Sequence, residues 1–405
     1  MKQTHRFARY LACAGLIAGT LSLWGCGSAS TFDPINTTTT RIVAFGDALV
    51  DVGQVGRLNA ALTKYRYTVN NVVAGTNTGN TFIEYLSSYF GFGSVAYALD
   101  NLAAGRLPST GAYSYGEFGA LVSGAAGTTD ARGCTKVVST LNERTTGTAV
   151  DNAYCAYNLQ AQIDLFLAQG SPTSTDLFVI SIGTGDIMAT GIRNLTIDAI
   201  TTPVTFAAGL GAVQTDLATA GVSTTMQAAA NALAVQVKRL TDAGAKYVLV
   251  VGPPNVGRSP WATTTGNATL FQNLSYNTGS GVISMGSEGL ARIQATFGNK
   301  TNNPVLFVEI SGLVNTLTDG SNTVFANKTS VCTATAATLT SVTASSIGTG
   351  VAAPGQLSAA LCTTATLGGD QSTFVYADGV NFTPAMQSQF YSQALARMRL
   401  AAWIN

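Results

Sequence analysis

Few residues of this chain could do chemistry, and three of them are aspartates that follow apolar, strand-like runs. Asp47, Asp186 and Asp378 each come shortly after such a run. Carboxylates that lie close together could act as an acid/base pair or hold a cation. Alternatively Asp47 and Asp186 hydrogen-bond loop backbone, as polar groups in tight turns must. No spacing specific to a metal site is present, so we favour the structural role and expect no metal and no cofactor.

The turn at Gly46 resembles the strand-to-loop turn at which many hydrolases present a nucleophile, but it carries none. Gly46-Asp47-Ala48-Leu49 ends the apolar run Ile42–Phe45, which is typical of a buried strand. Ala48 has no oxygen with which to attack an ester. A hydroxyl nucleophile also needs an adjacent base, and the single histidine of the chain is His5, near the N-terminus.

The elements that would position these residues alternate between strands and helices from Arg41 onward, which predicts an α/β fold with a parallel sheet. The predicted strands are Arg41–Phe45, Leu177–Ile182, Ala245–Val251, Pro304–Ile310 and Thr373–Ala377. The predicted helices are Thr81–Phe90, Asn158–Ala168, Met226–Ala243 and Thr383–Leu400. Two segments rich in Thr, Ala and Gly, 189–225 and 333–367, are predicted to be surface insertions in one domain that spans residues 41–405.

A cluster of aromatic residues, Tyr113, Tyr115 and Phe118, is interleaved with Ser and Gly. Such a cluster could line a binding cleft. It could equally belong to a surface loop, and the sequence leaves both readings open.

The first 26 residues have the pattern of an export signal. Lys2, Arg6 and Arg9 precede the mostly apolar stretch Tyr10–Leu23. The segment ends Leu23-Trp24-Gly25-Cys26, which resembles a bacterial lipobox. Cys26 would then be the acylated N-terminus of the mature protein, and several acyl chains would hold it on a membrane. A plain secretory signal that is cleaved nearby is the alternative.

These features together predict an exported lipoprotein of a Gram-negative bacterium. Gly27 after the cysteine, rather than Asp, favours the outer membrane, and residues 27–40 form a polar tether. The charge balance of 21 Lys+Arg against 20 Asp+Glu predicts no nucleic-acid partner. The membrane, reached through the lipid anchor, is the one partner that the sequence indicates.

Four cysteines remain after the N-terminal segment, namely Cys134, Cys155, Cys332 and Cys362. An even number in an exported chain predicts two disulfides. The local pairing Cys134–Cys155 and Cys332–Cys362 is the simplest of three possible connectivities. A zinc site is not expected, because the chain has no CxxC pair and no second histidine.

Six segments in order resemble the blocks of the GDSL/SGNH family of serine esterases and lipases. They run from about Arg41 to Leu400. The segments are Phe45–Gly53, Thr78–Leu86, Phe178–Asp186, Gly252–Pro260, Phe325–Cys332 and Ala377–Thr383. The resemblance implies a three-layer α/β/α, flavodoxin-like sandwich with a parallel central sheet. It also implies that Asp47, Asp186 and Asp378 converge at the carboxyl ends of the strands.

The family's chemistry uses a first-block serine, a last-block histidine and an aspartate three residues before that histidine. Backbone N–H groups and a third-block asparagine stabilise the oxyanion. By this resemblance the chain keeps Asp378 and the backbone N–H groups of Gly79 and Ala48. It departs from the family at Ala48, Asn381 and Gly185, which stand in place of the serine, the histidine and the asparagine.

Loss of a serine–histidine unit costs roughly a millionfold in turnover in a serine protease. We therefore expect a degenerate, non-catalytic homologue that binds an unknown small molecule, lipid or glycan in the remaining cleft, or that acts by interaction. The alternative is an ester hydrolase with weak or rerouted activity, which would need another base near a serine or an activated water. The sequence does not place such a base.

Overall fold

The structure is a computed structural model. It describes residues 39–53, 66–73, 76–77, 79–98, 107–122, 157–187, 224–264, 266, 268–277, 284–298, 303–332 and 362–405. The predicted insertions 189–225 and 333–367 lie mostly outside these ranges, as do the predicted signal segment 1–26, most of the tether 27–40, Cys26, Cys134 and Cys155.

The fold is α/β, with a central sheet of six described strands between helical layers. The strands, in chain order, are β1 Arg41–Gly46, β2 Val72–Val73, β3 Thr76–Asn77, β4 Ala96–Tyr97, β5 Gly111–Ser114, β6 Asp176–Ser181, β7 Tyr247–Val251, β8 Val305–Val308, β9 Asn327–Ser330 and β10 Phe374–Tyr376. The order in the central sheet is β4-β5-β1-β6-β7-β8, and every described pairing in it is parallel. An antiparallel hairpin joins β2 to β3, and a separate parallel pair joins β9 to β10.

Eight described α-helices accompany the strands. They are α1 Phe82–Tyr89, α2 Leu159–Leu167, α3 Thr224–Asp242, α4 Pro260–Thr264, α5 Ala268–Ser275, α6 Met285–Phe297, α7 Ser311–Thr318 and α8 Pro384–Leu400. Local sequence sets several of their ends. Asn158 Oδ1 accepts the N–H of Ala161 at the start of α2 (2.8 Å), and Thr383 caps α8 ahead of Pro384.

The central strands are buried on both faces, as expected for a parallel sheet between helices. All residues of β1, β6, β7 and β8 are buried. Arg41, at the start of β1, is the charged residue among the otherwise apolar or small residues of that strand, and it is buried. Its guanidinium donates two hydrogen bonds to Asp176 of β6, at 3.0 and 2.5 Å, so that the buried charge is paired.

Aromatic contacts show which helices cover which face of the sheet. Phe178 of β6 packs on Phe166 of α2, with ring centroids 5.3 Å apart. Tyr247 packs on Trp403, just after α8, at 5.2 Å. Tyr247 is the neighbour of Val248, the register partner of Phe178. Because successive strand residues point to opposite faces, α2 and α8 lie on opposite sides of the sheet.

The structure confirms the predicted α/β class and corrects some of the elements. The predicted strand Thr373–Ala377 forms as β10, but it pairs with β9 outside the central sheet. The aromatic cluster neither lines a cleft nor lies in a surface loop as a unit. Tyr115 stacks on Phe45 at 5.4 Å and Phe118 stacks on Tyr67 at 4.3 Å, and all four residues are buried. Tyr113 belongs to β5, which pairs with β1.

No helix within the described ranges combines the length and the apolar character that a membrane crossing requires.

Candidate functional site

The first block forms a sharp turn at the end of β1, held against the end of β6. Gly46 has φ +135°, and a Cβ there would lie 1.8 Å from the carbonyl oxygen of Ser181. Only glycine fits such an approach. The N–H of Asp47 donates to the same carbonyl at 2.8 Å. The turn therefore places Ala48, which is 9% exposed, beside the strand that carries the third block.

A glutamine that the sequence analysis missed also fixes this turn. Gln162 of α2 accepts the N–H of Gly46 at 2.7 Å and donates to its carbonyl at 3.0 Å. Its side chain is fully buried. The sequence does carry a signal for it, because Gln162 shares the core-facing stripe of α2 with Leu159, Ile163 and Phe166. A polar residue on such a stripe must have a buried partner.

Asp47 links the first block to the third. Its Oδ2 accepts the N–H of Thr184 at 3.1 Å, and the side chain is 2% exposed. Burial raises the pKa of Asp47 from 3.8 to about 7, against the opposing effect of the hydrogen bonds from Thr184. Asp47 is therefore a carboxyl that titrates near neutral pH within the site.

Two other loop carboxylates, Asp186 and Asp51, accept hydrogen bonds from backbone N–H groups. Asp186 accepts the N–H of Val122 at 3.1 Å, and Asp51 accepts those of Gly53 (3.1 Å) and Phe118 (2.8 Å). These bonds tie the loop after β5 to both the first and the third block. This outcome is the structural role that we favoured for Asp47 and Asp186. No cluster of metal-binding side chains occurs among the described residues.

Gly185, the third-block position, has no room for a side chain. A Cβ at Gly185 would lie 2.1 Å from the carbonyl oxygen of Ala120 and 3.2 Å from that of Gly119. Real Cβ atoms do not approach backbone oxygen that closely. The loop after β5 therefore fills the space into which an asparagine would extend. The sequence could identify this substitution but could not show that backbone occupies the space.

The last block is a tight turn closed by Asp378. Its Oδ1 accepts the N–H groups of Val380 at 2.8 Å and Asn381 at 2.6 Å, and its Oδ2 accepts the side-chain amide of Asn381 at 2.8 Å. Asp378 and Asn381 are both buried. The predicted pair is thus brought together, with the amide nitrogen donating to the carboxylate.

The second block contacts α8, and the segment before the second block contacts the last block. The N–H of Phe82 donates to Gln387 of α8 at 2.7 Å, and the hydroxyl of Thr68 donates to the carbonyl of Phe382 at 2.8 Å. Gly79 lies against the 66–70 segment, since a Cβ there would be 2.0 Å from the carbonyl oxygen of Val69. Within the described part of the chain, no hydrogen bond joins the Ala48 turn to the Asp378 turn.

A disulfide lies next to the last block and links it to the segment before the second block. Cys332 and Cys362 are bonded, as the local pairing predicted. The N–H of Cys332 donates to the carbonyl of Ala377 at 3.0 Å, and the carbonyl of Cys362 accepts the N–H of Asn70 at 2.8 Å. The bond therefore connects the strand before Asp378 to the segment that contacts Gly79. Cys134 and Cys155 lie outside the described residues.

The three positions at which the sequence departs from the resembled pattern carry no hydroxyl and no imidazole. A methyl group stands at position 48, an amide at position 381 and no side chain at position 185. Asp47, whose pKa is raised to about 7 by burial, is hydrogen-bonded to Thr184. The described residues of the site thus form a set of close turns that bring Asp47, Ala48 and the third block together.

Comparison with protein-family models and with curated proteins finds no match to this chain.

Proposed function

We propose that this chain is a non-catalytic, SGNH-like protein that acts by binding rather than by ester hydrolysis. The observation that carries the proposal is Asn381, whose amide donates to Asp378 Oδ2 at 2.8 Å. The family resemblance assigns this position to the catalytic base. A primary amide accepts no proton near neutral pH and cannot activate a nucleophile.

Gly185 supports the same proposal independently. A Cβ there would meet the Ala120 carbonyl oxygen at 2.1 Å, so the side-chain oxyanion donor cannot be restored without moving the loop after β5. Loss of one such donor alone costs on the order of a hundredfold to a thousandfold in turnover. The chain thus lacks the nucleophile, the base and the donor together.

The direct test is hydrolysis of short and medium p-nitrophenyl esters. We expect the unmodified protein to show no turnover above the buffer blank. The double variant Ala48→Ser/Asn381→His restores the nucleophile and the base while leaving the crowded Gly185 position unchanged. We expect it to exceed the single variant Ala48→Ser by about a hundredfold, the lower range of a general-base contribution.

The single variant Ala48→Ser is the matched control, because it has the nucleophile without the base. Circular dichroism of each variant checks that the fold is kept. Turnover by the unmodified protein that resists serine-directed inhibitors would overturn the non-catalytic proposal.

A rerouted hydrolase is the second candidate, and Asp47 is the observation that favours it. Its pKa of about 7 suits a general base for water at neutral pH. The expected result under this candidate is weak hydrolysis that Asp47→Asn abolishes. The non-catalytic proposal instead expects equal, blank-level rates for the unmodified protein and Asp47→Asn.

We also propose that the protein is held on a membrane by a lipid at Cys26. The support is the sequence of the first 26 residues, in which a positive start and an apolar stretch precede Cys26. Metabolic labelling with an alkyne fatty acid should label the parent protein and the Cys13→Ala variant. Cys26→Ala should lose the label, and retention of the label would contradict the anchor.

A further inference from the structure

A polar groove of about 560 Å³ lies beside the last block, on the side of α7 and the loop that follows it. Its lining consists mainly of charged, amide and hydroxyl side chains, namely Arg258, Asn315, Thr316, Asp319, Ser321 and Asn322. The loop that carries Arg258 continues to Trp261, whose N–H donates to the carbonyl of Gly379 at 2.9 Å. A backbone hydrogen bond therefore links the loop that lines the groove to the Asp378 turn, but no residue of that turn lines the groove.

Arg258 is the exposed cation of this groove. Its Nε donates to Asn315 Oδ1 at 3.4 Å, and the side-chain amide of Asn255 donates to the same oxygen at 2.5 Å. Within the described part of the chain, the two terminal nitrogens of Arg258 make no hydrogen bond and no ion pair. A guanidinium fork of this kind suits a carboxylate, which it can bind through two parallel hydrogen bonds.

The neighbouring acidic group does not neutralise Arg258 by direct pairing. Asp319 Oδ1 accepts the N–H of Ser321 at 2.9 Å and its hydroxyl at 2.5 Å. These bonds engage the carboxylate in its own turn. Its negative charge still lies near the groove, so a single carboxylate next to Arg258 is favoured over a group that concentrates two negative charges, such as a phosphate monoester.

The wall of the groove is fixed before any ligand binds. Asn322 Oδ1 accepts the N–H of Val324 at 2.9 Å, and Lys328 Nζ donates to the carbonyl of Asn322 at 3.2 Å. Lys328 also donates to the carbonyl of Phe325. A wall held by such bonds loses little conformational entropy on binding.

We propose that this groove binds an acidic carbohydrate through its carboxylate and ring hydroxyls. Arg258 binds the carboxylate, and the side chains of Asn315, Thr316 and Ser321 pair with hydroxyls. An acyl chain does not suit this lining, because Val324 is the apolar residue in it. The inference rests on the proposal that the chain acts by binding, and it names the chemical class of the ligand.

The test is isothermal titration of the detergent-solubilised full-length protein with trigalacturonate, a carboxylated trisaccharide. Maltotriose serves as the neutral trisaccharide. We expect trigalacturonate to bind about tenfold more tightly than maltotriose, and Arg258→Gln to remove that preference. Arg397→Gln, which removes the same charge from an exposed position on the closing helix, should leave both affinities unchanged.

Several outcomes would overturn the groove proposal. They are no heat of binding with trigalacturonate, equal affinity in the parent protein and Arg258→Gln, or equally tight binding of a triglutamate peptide. The p-nitrophenyl ester assay on the same preparation separates the two proposals. Ester turnover together with Arg258-dependent trigalacturonate binding would support the groove and overturn only the non-catalytic function.

Discussion

Gly185 and Asn381 lie in unlike surroundings. At Gly185, backbone of the loop after β5 fills the space that a side chain would need. At position 381, a side chain is present and donates a hydrogen bond to Asp378. Ala120 presents its carbonyl oxygen 2.1 Å from where a Cβ of Gly185 would lie. Asn381 instead donates to Asp378 at 2.8 Å, the contact that a histidine ring would also make. The two sides therefore differ in how readily they could accept a different side chain.

This difference shows that similar substitutions can have unlike structural consequences. A histidine at position 381 has a carboxylate already oriented to receive its N–H, because two backbone N–H groups hold Asp378 in place. An asparagine at position 185 requires the 119–120 backbone to move. Two substitutions that look equivalent in the sequence are thus one replaceable side chain, at position 381, and one closed space, at position 185.

The largest effect is expected from Gly185→Asn. The contact with the Ala120 carbonyl should lower the free energy of unfolding by about 4 kcal/mol, above the usual range of about 1–3 kcal/mol for overpacking, because the clash is with backbone. Gly320→Asn is the matched control, because a Cβ there meets nothing within 4 Å, and it should cost less than about 0.5 kcal/mol. Urea denaturation measures both. Equal stability of the two variants would mean that the third-block space is open.

The next effect concerns the support of the Asp378 side. Replacing Cys332 and Cys362 together by serine removes a bond that closes a separation of 30 residues. We expect the free energy of unfolding to fall by about 3 kcal/mol, chiefly because the unfolded chain regains freedom. Urea denaturation with and without reductant measures the change. The prediction fails if the double variant matches the non-reduced parent protein.

A pH-dependent effect is expected at Asp47. Its folded-state pKa of about 7 lies above the ordinary 3.8, so the folded protein holds a proton that the unfolded chain releases. This contribution to stability is complete below about pH 4 and is lost as the pH rises through about 7. Asp47→Asn does not titrate, so its stability relative to the parent protein should rise as the pH increases between these values.

Denaturant unfolding at a series of pH values from 4 to 8 tests this prediction for Asp47. Asp186→Asn is a useful comparison, since that carboxylate also accepts a loop N–H, from Val122. A stability difference between Asp47→Asn and the parent protein that stays constant with pH would show that Asp47 is ionised throughout.

The smallest effect is expected at Asn381. Asn381→Ala removes the donor to Asp378 Oδ2 and should cost about 1.5 kcal/mol, the ordinary value for a bond to a charged group. Asn381→His keeps an N–H donor and should cost less than Asn381→Ala. Urea denaturation should therefore give a higher unfolding midpoint for Asn381→His than for Asn381→Ala. A lower midpoint for Asn381→His would show that the turn does not accommodate an imidazole.

Much of the fold follows from local sequence, because long apolar runs and cap residues mark the elements. β1, β6, β7 and β8 are runs of apolar residues, and α8 begins with Thr383-Pro384. β5 was missed since Gly111–Ser114 is short and has no apolar run. It is a strand because Gly111 to Ser114 pair along β1, a contact that is distant in the chain.

The sequence could point to the positions of the candidate site but not to their packing. Ala48, Gly185 and Asn381 are singled out by the resemblance alone, which stays a prediction. The approach of Ala120 to Gly185 depends on how the loop after β5 crosses the sheet edge, which no local pattern encodes. The pKa of Asp47 likewise follows from burial by distant segments, so residue type alone does not indicate it.

The strand order has a consequence for how this protein reaches its native state. β1 lies in the middle of the sheet, yet its partners β5 and β6 begin at Gly111 and Asp176, far downstream. The N–H of Phe82 in α1 similarly donates to Gln387, which is 305 residues further along the chain, so this hydrogen bond cannot form until α8 has been synthesised. Folding should therefore be a late, whole-chain event, slow in rate because it depends on contacts between distant segments. A nascent chain that stops before α8 would leave the helix layer around α1 unfinished, and the earliest strand would remain unpaired for much of synthesis.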